Sequence, residues 1–317
     1  LMGGVAPMRI LQIMRAPVGG LFRHVADLTE ALAGMGHKVG IIADSLAGDA
    51  QTEDRLNALG QFASLGVYRM PMPRVLGLDD FRTPLGIRRL AKQLDVTVLH
   101  GHGAKGGFGA RLARMGNRGV AALYTPHGGV LHFDTGTASG KLFMGIERQL
   151  LKVTDAIIFE SAYGQRVFAE KIARPSCLNA VIHNGLRKSE FEPVAPHPDA
   201  ADFVFVGELR LLKGIDLLVE ALARLDRPAT LVMAGDGPDA AQLRALIAQK
   251  GLEGRVTLAG VRPARAMFAR GRCVLVPSRL RPEGVDRDYN CADRRNASEP
   301  LADGAEGELR PHLQCQN

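Results

Sequence analysis

The sequence predicts an α/β protein of two Rossmann-like domains, and three observations carry that expectation. Short β-rich runs alternate with stretches whose apolar residues recur at helical spacing. The alternation breaks once, at the polar, Pro-rich stretch 190–201 (EFEPVAPHPDAA), and then restarts. The 317 residues, 46% hydrophobic and 23% charged, suffice for two ordinary domains and have a globular balance.

The first strand is Arg9–Met14. Gly19-Gly20 turns the chain. Leu21, Val25, Leu28, Leu32 and Met35 then share one helix face, with Arg23, Asp27 and Glu30 on the wet side and Gly36 placed to end the helix. Further strands are expected at 38–43, 67–70, 96–100, 121–125, 156–159 and 180–183. After the break come a strand at 203–206, a helix at 215–225, a strand at 230–234 and a helix at 240–250. A strand at 256–258, a short helix at 264–269 and a strand at 273–276 complete the second set. The expected organisation is a domain over 8–189, a linker over 190–201 and a partial second domain over 202–278, with ligands at the carboxyl ends of the strands.

Residues 279–317 differ in kind. They hold six residues of the V/I/L/M/F/W/Y set against fourteen charged ones, so disorder is expected there, and the abrupt change suggests a frame shift or truncation. At the other end Met8 reads as the natural start, with no signal peptide. No apolar run approaches the ~20 residues of a membrane span.

The net charge of +7 points to anionic partners. Scattered Arg and Lys with only 5% aromatics disfavour nucleic acid. Phosphorylated substrates or an anionic membrane surface fit. Arg88, Arg89 and Lys92 opposite Leu85, Leu90 and Leu94 make a basic amphipathic helix that suits a peripheral contact at the inner membrane face. Cys177, Cys273, Cys291 and Cys315 show no CxxC spacing, which speaks against structural zinc and a disulfide framework and suits the cytoplasm.

Several strand-end motifs can carry chemistry. Val18-Gly19-Gly20-Leu21 joins strand to helix, where free backbone N–H groups and a partial positive charge favour phosphate. Asp44 ends the second strand where a dinucleotide enzyme places its ribose-binding carboxylate, although GxGxxG is absent. His127, in Tyr124-Thr125-Pro126-His127-Gly128-Gly129, can hydrogen-bond a sugar hydroxyl or polarise a reacting group. His100 and His102 are spaced to share a metal, but no third ligand is evident. Arg210 and Lys213, in the loop 206–214 (VGELRLLKG), can grip a diphosphate, and Gly235 and Gly237 end the next strand.

Taken in order, PVGGLFRHV, HGHGAKGG, YTPHGG, IIFES, VIHNG, VGELRLLKGID, LVMAGDGP, VTLAG and VLVPS resemble the bacterial retaining glycosyltransferases of family 4 over about residues 8–278. The resemblance implies the GT-B fold, two Rossmann-like domains across a cleft, with the second incomplete here. It implies a UDP- or GDP-sugar donor, a glycan or lipid-linked acceptor, transfer with retention, a place in surface polysaccharide synthesis and no metal or other cofactor. It puts His127 near the transferred sugar and the donor between Gly19, Gly20 and the second-domain residues Arg210, Lys213, Gly235 and Gly237. This chain departs from the family in having Glu208 where many relatives carry Arg, a role Arg210 can take over. The family's glutamate pair after Pro277-Ser278 meets Arg281 instead. Glu283 is near, but Asn290 stands seven residues further on. Asp286-Arg287-Asp288 mimics a metal-binding DxD without a strand before it. A nucleotide-binding pseudoenzyme, an NAD-type oxidoreductase and a sugar-nucleotide epimerase stay open as alternatives.

Overall fold

A computed structural model of the chain describes residues 6–278, apart from 18, 47, 49, 74–76, 118 and 129–135. Expectations about the first five residues, Gly129, the tail 279–317 and the positions Arg281, Glu283 and Asn290 lie outside the described residues. The chain divides into two compact units, one ending at Gly185 and the other beginning at Leu186.

The first unit runs β1 (Arg9–Met14), α1 (Gly19–Gly34), β2 (Lys38–Asp44), α2 (Ala50–Leu59), β3 (Val67–Met70), α3 (Asp79–Gln93) and β4 (Val98–His102). It continues through α4 (Gly103–Arg114), β5 (Ala121–Thr125), α5 (Ala138–Leu150), β6 (Ala156–Phe159), α6 (Ala162–Lys171) and β7 (Leu178–Val181). All pairings are parallel, in the order β3-β2-β1-β4-β5-β6-β7. The order reverses between β1 and β4, so the topological switch point, where open α/β sheets bind ligands, lies at the carboxyl ends of those two strands.

The sheet is buried on both faces, as parallel sheets are. Leu11, Ile13 and Leu99 pack with Ile87, Ala110 and Ala113 on the α3–α4 side. Met14, Ile41 and Ala43 pack with Phe22, Val25 and Leu56 on the α1–α2 side. Helix α4 sits very close to the sheet: a Cβ on Gly106 would lie 2.2 Å from the Ile13 carbonyl oxygen, and one on Gly107 would lie 2.3 Å from the Tyr124 ring. Gly101, Gly106 and Gly107 of GHGAKGG are thus packing glycines. Arg111, fully buried on α4, forks onto Glu147 of α5 at 2.7 and 2.8 Å and lies 3.9 Å from the Tyr124 ring centre.

Two strands are displaced from their sequence-read positions. β4 starts two residues later than 96–100 and carries both histidines inside the ladder, where Met14 pairs with His102 and His102 with Thr125. The apolar run VTVL marks its start too early, because Val96 and Thr97 still belong to the turn out of α3, whose Asp95 has φ 46°. β7 starts two residues earlier than 180–183. It is an edge strand with Leu178 80% exposed, so its buried-side pattern is weak.

The basic amphipathic face of α3 also differs from the expected one. Leu90 is buried, and the Arg88 guanidinium donates to the Leu112 and Ala113 carbonyls at the end of α4. The exposed apolar side chains are Leu78 (just before the helix), Phe81 and Leu85, at 72%, 68% and 48% exposure, with Arg82, Arg89 and Lys92 exposed beside them.

The second unit runs β8 (Ala201–Val206), α7 (Ile215–Ala223), β9 (Leu231–Ala234), α8 (Ala240–Gln249), β10 (Val256–Gly260), α9 (Ala264–Phe268) and β11 (Gly271–Val274). The strands are parallel in the order β10-β9-β8-β11, with a switch point between β8 and β11. Phe203, Phe205, Leu218, Val219, Leu231 and Met233 are prominent in its core. Residues 192–199, read from the sequence as linker, are fastened to this unit. His197 N–H donates to the Ala269 carbonyl, Arg265 to that of Glu192 and Arg272 to that of Pro198.

Candidate functional site

The face of β1, β4 and β5 turned toward α1 is polar at its carboxyl end. Gln12, His100, His102 and Thr125 are all at most 4% exposed and all lie on it, because parallel register pairs Gln12 with His100 and His102 with Thr125. Burying such groups costs free energy unless they find partners, and they find each other. His100 Nε2 lies 2.8 Å from Thr125 Oγ1, and His102 Nε2 lies 2.5 Å from Gln12 Oε1.

His127 joins them from the turn after β5. Its φ of 49° is a left-handed conformation that non-glycine residues seldom adopt, a strain typical of functional positions. That backbone places Nε2 3.1 Å from His102 Nδ1 and Nδ1 2.5 Å from Glu160 Oε1, the carboxylate oxygen lying off the ring N–H direction. Asn184 donates to the same carboxylate at 3.3 Å. His24, from the second turn of α1, completes the group with its ring 5.0 Å from that of His127 and 5.6 Å from that of His102.

Burial makes these imidazoles hard to charge. It holds His24 at about 4 and His100 at about 3, and keeps His102 well below 6.5; neighbouring histidines add to each shift. At neutral pH all three are uncharged. The helix ends set the opposite field. α1 and α4 both begin at the switch point, where a Cβ on Gly103 would meet Leu21 at 3.2 Å, and each presents unpaired backbone N–H groups there.

Of the residues singled out in this unit, Gly19, Gly20 and His127 all fall at the carboxyl end of the sheet. Gly19 has φ 65° and open space around its Cβ position, and both glycines are exposed, so their backbone is open to a ligand. Asp44 does not point to a ribose. It is 2% exposed, and its Oδ1 accepts from the backbone N–H of Leu46 and Met72 at 3.0 and 2.7 Å. The paired-histidine reading also changes. The His100 ring lies 4.0 Å from that of His102, but its Nε2 is turned to Thr125, and the imidazoles whose nitrogens converge with His102 are His24 and His127. Gln12, His24, Glu160 and Asn184 were missed as site residues. Three of them stand inside the quoted motifs PVGGLFRHV, IIFES and VIHNG, and convergence of those motifs was the available signal.

In the second unit Arg210 and Lys213 are exposed on the loop after β8, at that sheet's switch point. Glu208 lies 3.4 Å from Arg210, so the residue that departs from the family pattern partly neutralises the guanidinium expected to replace it. Gly214 needs its φ of 69°, and a Cβ there would lie 2.1 Å from the Pro277 carbonyl oxygen. Gly235 and Gly237 let the loop after β9 close on the loop after β8. Their Cβ positions fall 1.9 Å from the Gly207 oxygen and 2.5 Å from the Leu209 oxygen. Packing alone therefore accounts for both glycines.

The model of Glycosyltransferase Family 4 matches residues 18–190, and that of Glycosyl transferases group 1 matches residues 187–285. Among curated proteins, the gpi3 subunit of phosphatidylinositol N-acetylglucosaminyltransferase of Schizosaccharomyces pombe is 27% identical over 279 residues, 82% of this chain and 58% of its own length. The corresponding phosphatidylinositol N-acetylglucosaminyltransferase chain of Arabidopsis thaliana is 25% identical over 272 residues, 83% of this chain and 58% of its own. The chain thus spans under two thirds of these relatives' length. Among solved structures, a glycosyltransferase from Rickettsia africae superposes with a TM-score of 0.67 at 19% identity, covering 86% of this chain and 74% of its own. The Anabaena protein HepE in complex with UDP-glucose does so at 0.66 and 19%, with the same coverage. These likenesses show the GT-B fold. With a family model matched across each unit, the chain belongs to glycosyltransferase family 4.

Proposed function

We propose that the chain transfers a sugar from a nucleotide-sugar donor, a UDP-sugar in the first instance, to a lipid-linked acceptor, retaining anomeric configuration and using no metal for the transfer. The observation that carries this reading is His127, strained into a left-handed turn at the switch point of a family 4 domain, with its Nδ1 beside Glu160 and its Nε2 3.1 Å from His102 Nδ1. Its imidazole is the group to meet the transferred sugar. In the first unit the exposed N–H groups at Gly19 and Gly20 are suited to phosphate, and in the second unit Arg210 and Lys213 are suited to the donor's diphosphate. Charge develops there as the glycosidic bond breaks, and fixed dipoles and cations stabilise it. In same-face attack the leaving phosphate takes the acceptor proton.

The UDP preference follows HepE, whose structures hold UDP and UDP-glucose. The lipid acceptor follows the phosphatidylinositol N-acetylglucosaminyltransferases among the relatives and the exposed apolar and basic face of α3. A peripheral place at the cytoplasmic membrane face suits both. Among the described residues no helix is long and apolar enough to cross a membrane.

A second reading, donor binding without turnover, is favoured by one observation: the glutamate pair, seven residues apart, that the family resemblance calls for is missing, since Arg281 stands near the first position and Asn290 stands seven residues after the nearby Glu283. Titrating UDP, GDP and NAD against the full chain by calorimetry tests the donor class. Binding of UDP, weakened at least tenfold in Arg210→Ala, is the expected result. Binding of NAD without UDP or GDP would overturn the transferase reading. Turnover of a bound UDP-sugar then separates transfer from binding alone.

A further inference from the structure

We propose that His24, His102 and His127 form a three-imidazole site for a divalent transition-metal ion of the zinc type, built into the switch point of the first unit. Their candidate ligand nitrogens all lie within 4.8 Å of one another, and they come from three different elements: α1, the end of β4 and the turn after β5.

The hydrogen-bond directions argue for it. Gln12 Oε1, 2.5 Å from His102 Nε2, accepts that ring's proton and leaves the Nδ1 lone pair facing inward. The Glu160 carboxylate, 2.5 Å from His127 Nδ1 though off the ring N–H direction, attracts the proton to that nitrogen by its charge and leaves the Nε2 lone pair facing inward. Two ring lone pairs then oppose each other across 3.1 Å, which is repulsive unless a cation sits between them. Zinc–nitrogen bonds of about 2.0–2.1 Å place tetrahedral ligand atoms about 3.3 Å apart, so this pair needs almost no rearrangement. His24, half-buried on α1, supplies the third nitrogen by a small movement of its side chain.

The surroundings have the usual form of such a site. A carboxylate and an amide stand behind two of the three ligands and hold their rings in orientation, as the outer partners of metal-binding histidines do. Three imidazole ligands select zinc, copper or nickel over magnesium or calcium, which prefer oxygen. Three protein ligands leave a fourth position open.

One consequence rests on the proposed transfer reading: a bound metal occupies His127 Nε2, so metal and donor-sugar contact at that nitrogen exclude each other. The metal is then an inhibitor of transfer, relieved by a chelator.

The test uses the full chain stripped with a chelator and dialysed. Zinc is titrated by calorimetry, and cobalt by visible absorption. Expected are one tight equivalent and an intense tetrahedral cobalt spectrum without thiolate charge transfer. His24→Ala should weaken zinc at least tenfold, and His197→Ala, an exposed histidine, should leave it unchanged. Histidine-selective NMR of the wild-type protein needs no variant: one equivalent of zinc should shift the ring nitrogens of three histidines. Equal zinc affinity in wild type and His24→Ala, octahedral cobalt, or a free-state His102 carrying its proton on Nδ1 with no zinc response would overturn the site. If zinc binds as described and transfer is undiminished, the site stands and the sugar-contacting role of His127 fails. If zinc does not bind and transfer proceeds, the reverse holds.

Discussion

At the residue scale, the chemistry of the first unit is a matter of where protons can go. His24, His100 and His102 are held neutral by burial, with His24 at about 4 and His100 at about 3 against an ordinary 6.5. Their folded values lie below the unfolded one, so the unfolded chain takes up protons first as pH falls. The stability they permit is intact above about 6.5 and is lost progressively toward 4 and 3. Each contributes a slope of about 1.4 kcal/mol per pH unit in that window. Urea melts should therefore show the first unit weaker at pH 5 than at pH 7.5, by roughly 2 kcal/mol for each histidine held neutral. A flat profile would mean the histidines are solvated. The residue scale also shows the limit of reading a motif. His127 was legible as a strand-end histidine, but its neighbours His102 and Glu160, and Gln12 and Asn184 that bond those in turn, come from segments far apart in sequence, and only the strand order brings them together.

At the element scale, glycine served two purposes that sequence alone does not separate. Gly19 is open to solvent, whereas Gly106 and Gly107 exist so that α4 can lie against β1 and β5. Gly106→Ala, whose Cβ meets a backbone carbonyl that cannot yield, should destabilise the first unit by about 2–3 kcal/mol in chemical denaturation. Gly101 shares that tight packing. α3 shows a related ambiguity: helical spacing identified the helix, but which face is wet depended on Arg88 reaching the carbonyl end of α4. The exposed Leu78–Phe81–Leu85 stripe with its basic flank should bind anionic vesicles. Phe81→Ser should reduce flotation with phosphatidylserine liposomes at least threefold and leave neutral liposomes unaffected. Equal flotation of the variant would remove α3 from the membrane contact.

At the scale of the whole molecule, the α/β class and the alternation of its elements were legible because the strands are apolar and the turns rich in glycine and proline. β1, β3, β5 and β6 have their sequence-read boundaries. The displaced elements have separate causes. β4 carries buried histidines that hydropathy counts as polar, and β7 is an edge strand with one weakly buried face. The strand orders, with a switch point in each unit, were not legible, since no local pattern states which strand pairs with which. Family membership rests on both units being matched by family models, and the transfer itself is the claim most worth testing. Incubating the full, chelator-treated chain with a labelled UDP-sugar and phosphoinositide-containing vesicles tests it most directly. The account predicts labelled lipid product, reduced at least a hundredfold in His127→Ala, a loss of about 2.7 kcal/mol in transition-state binding. UDP binding with no labelled lipid, or product formation unchanged in His127→Ala, would contradict it.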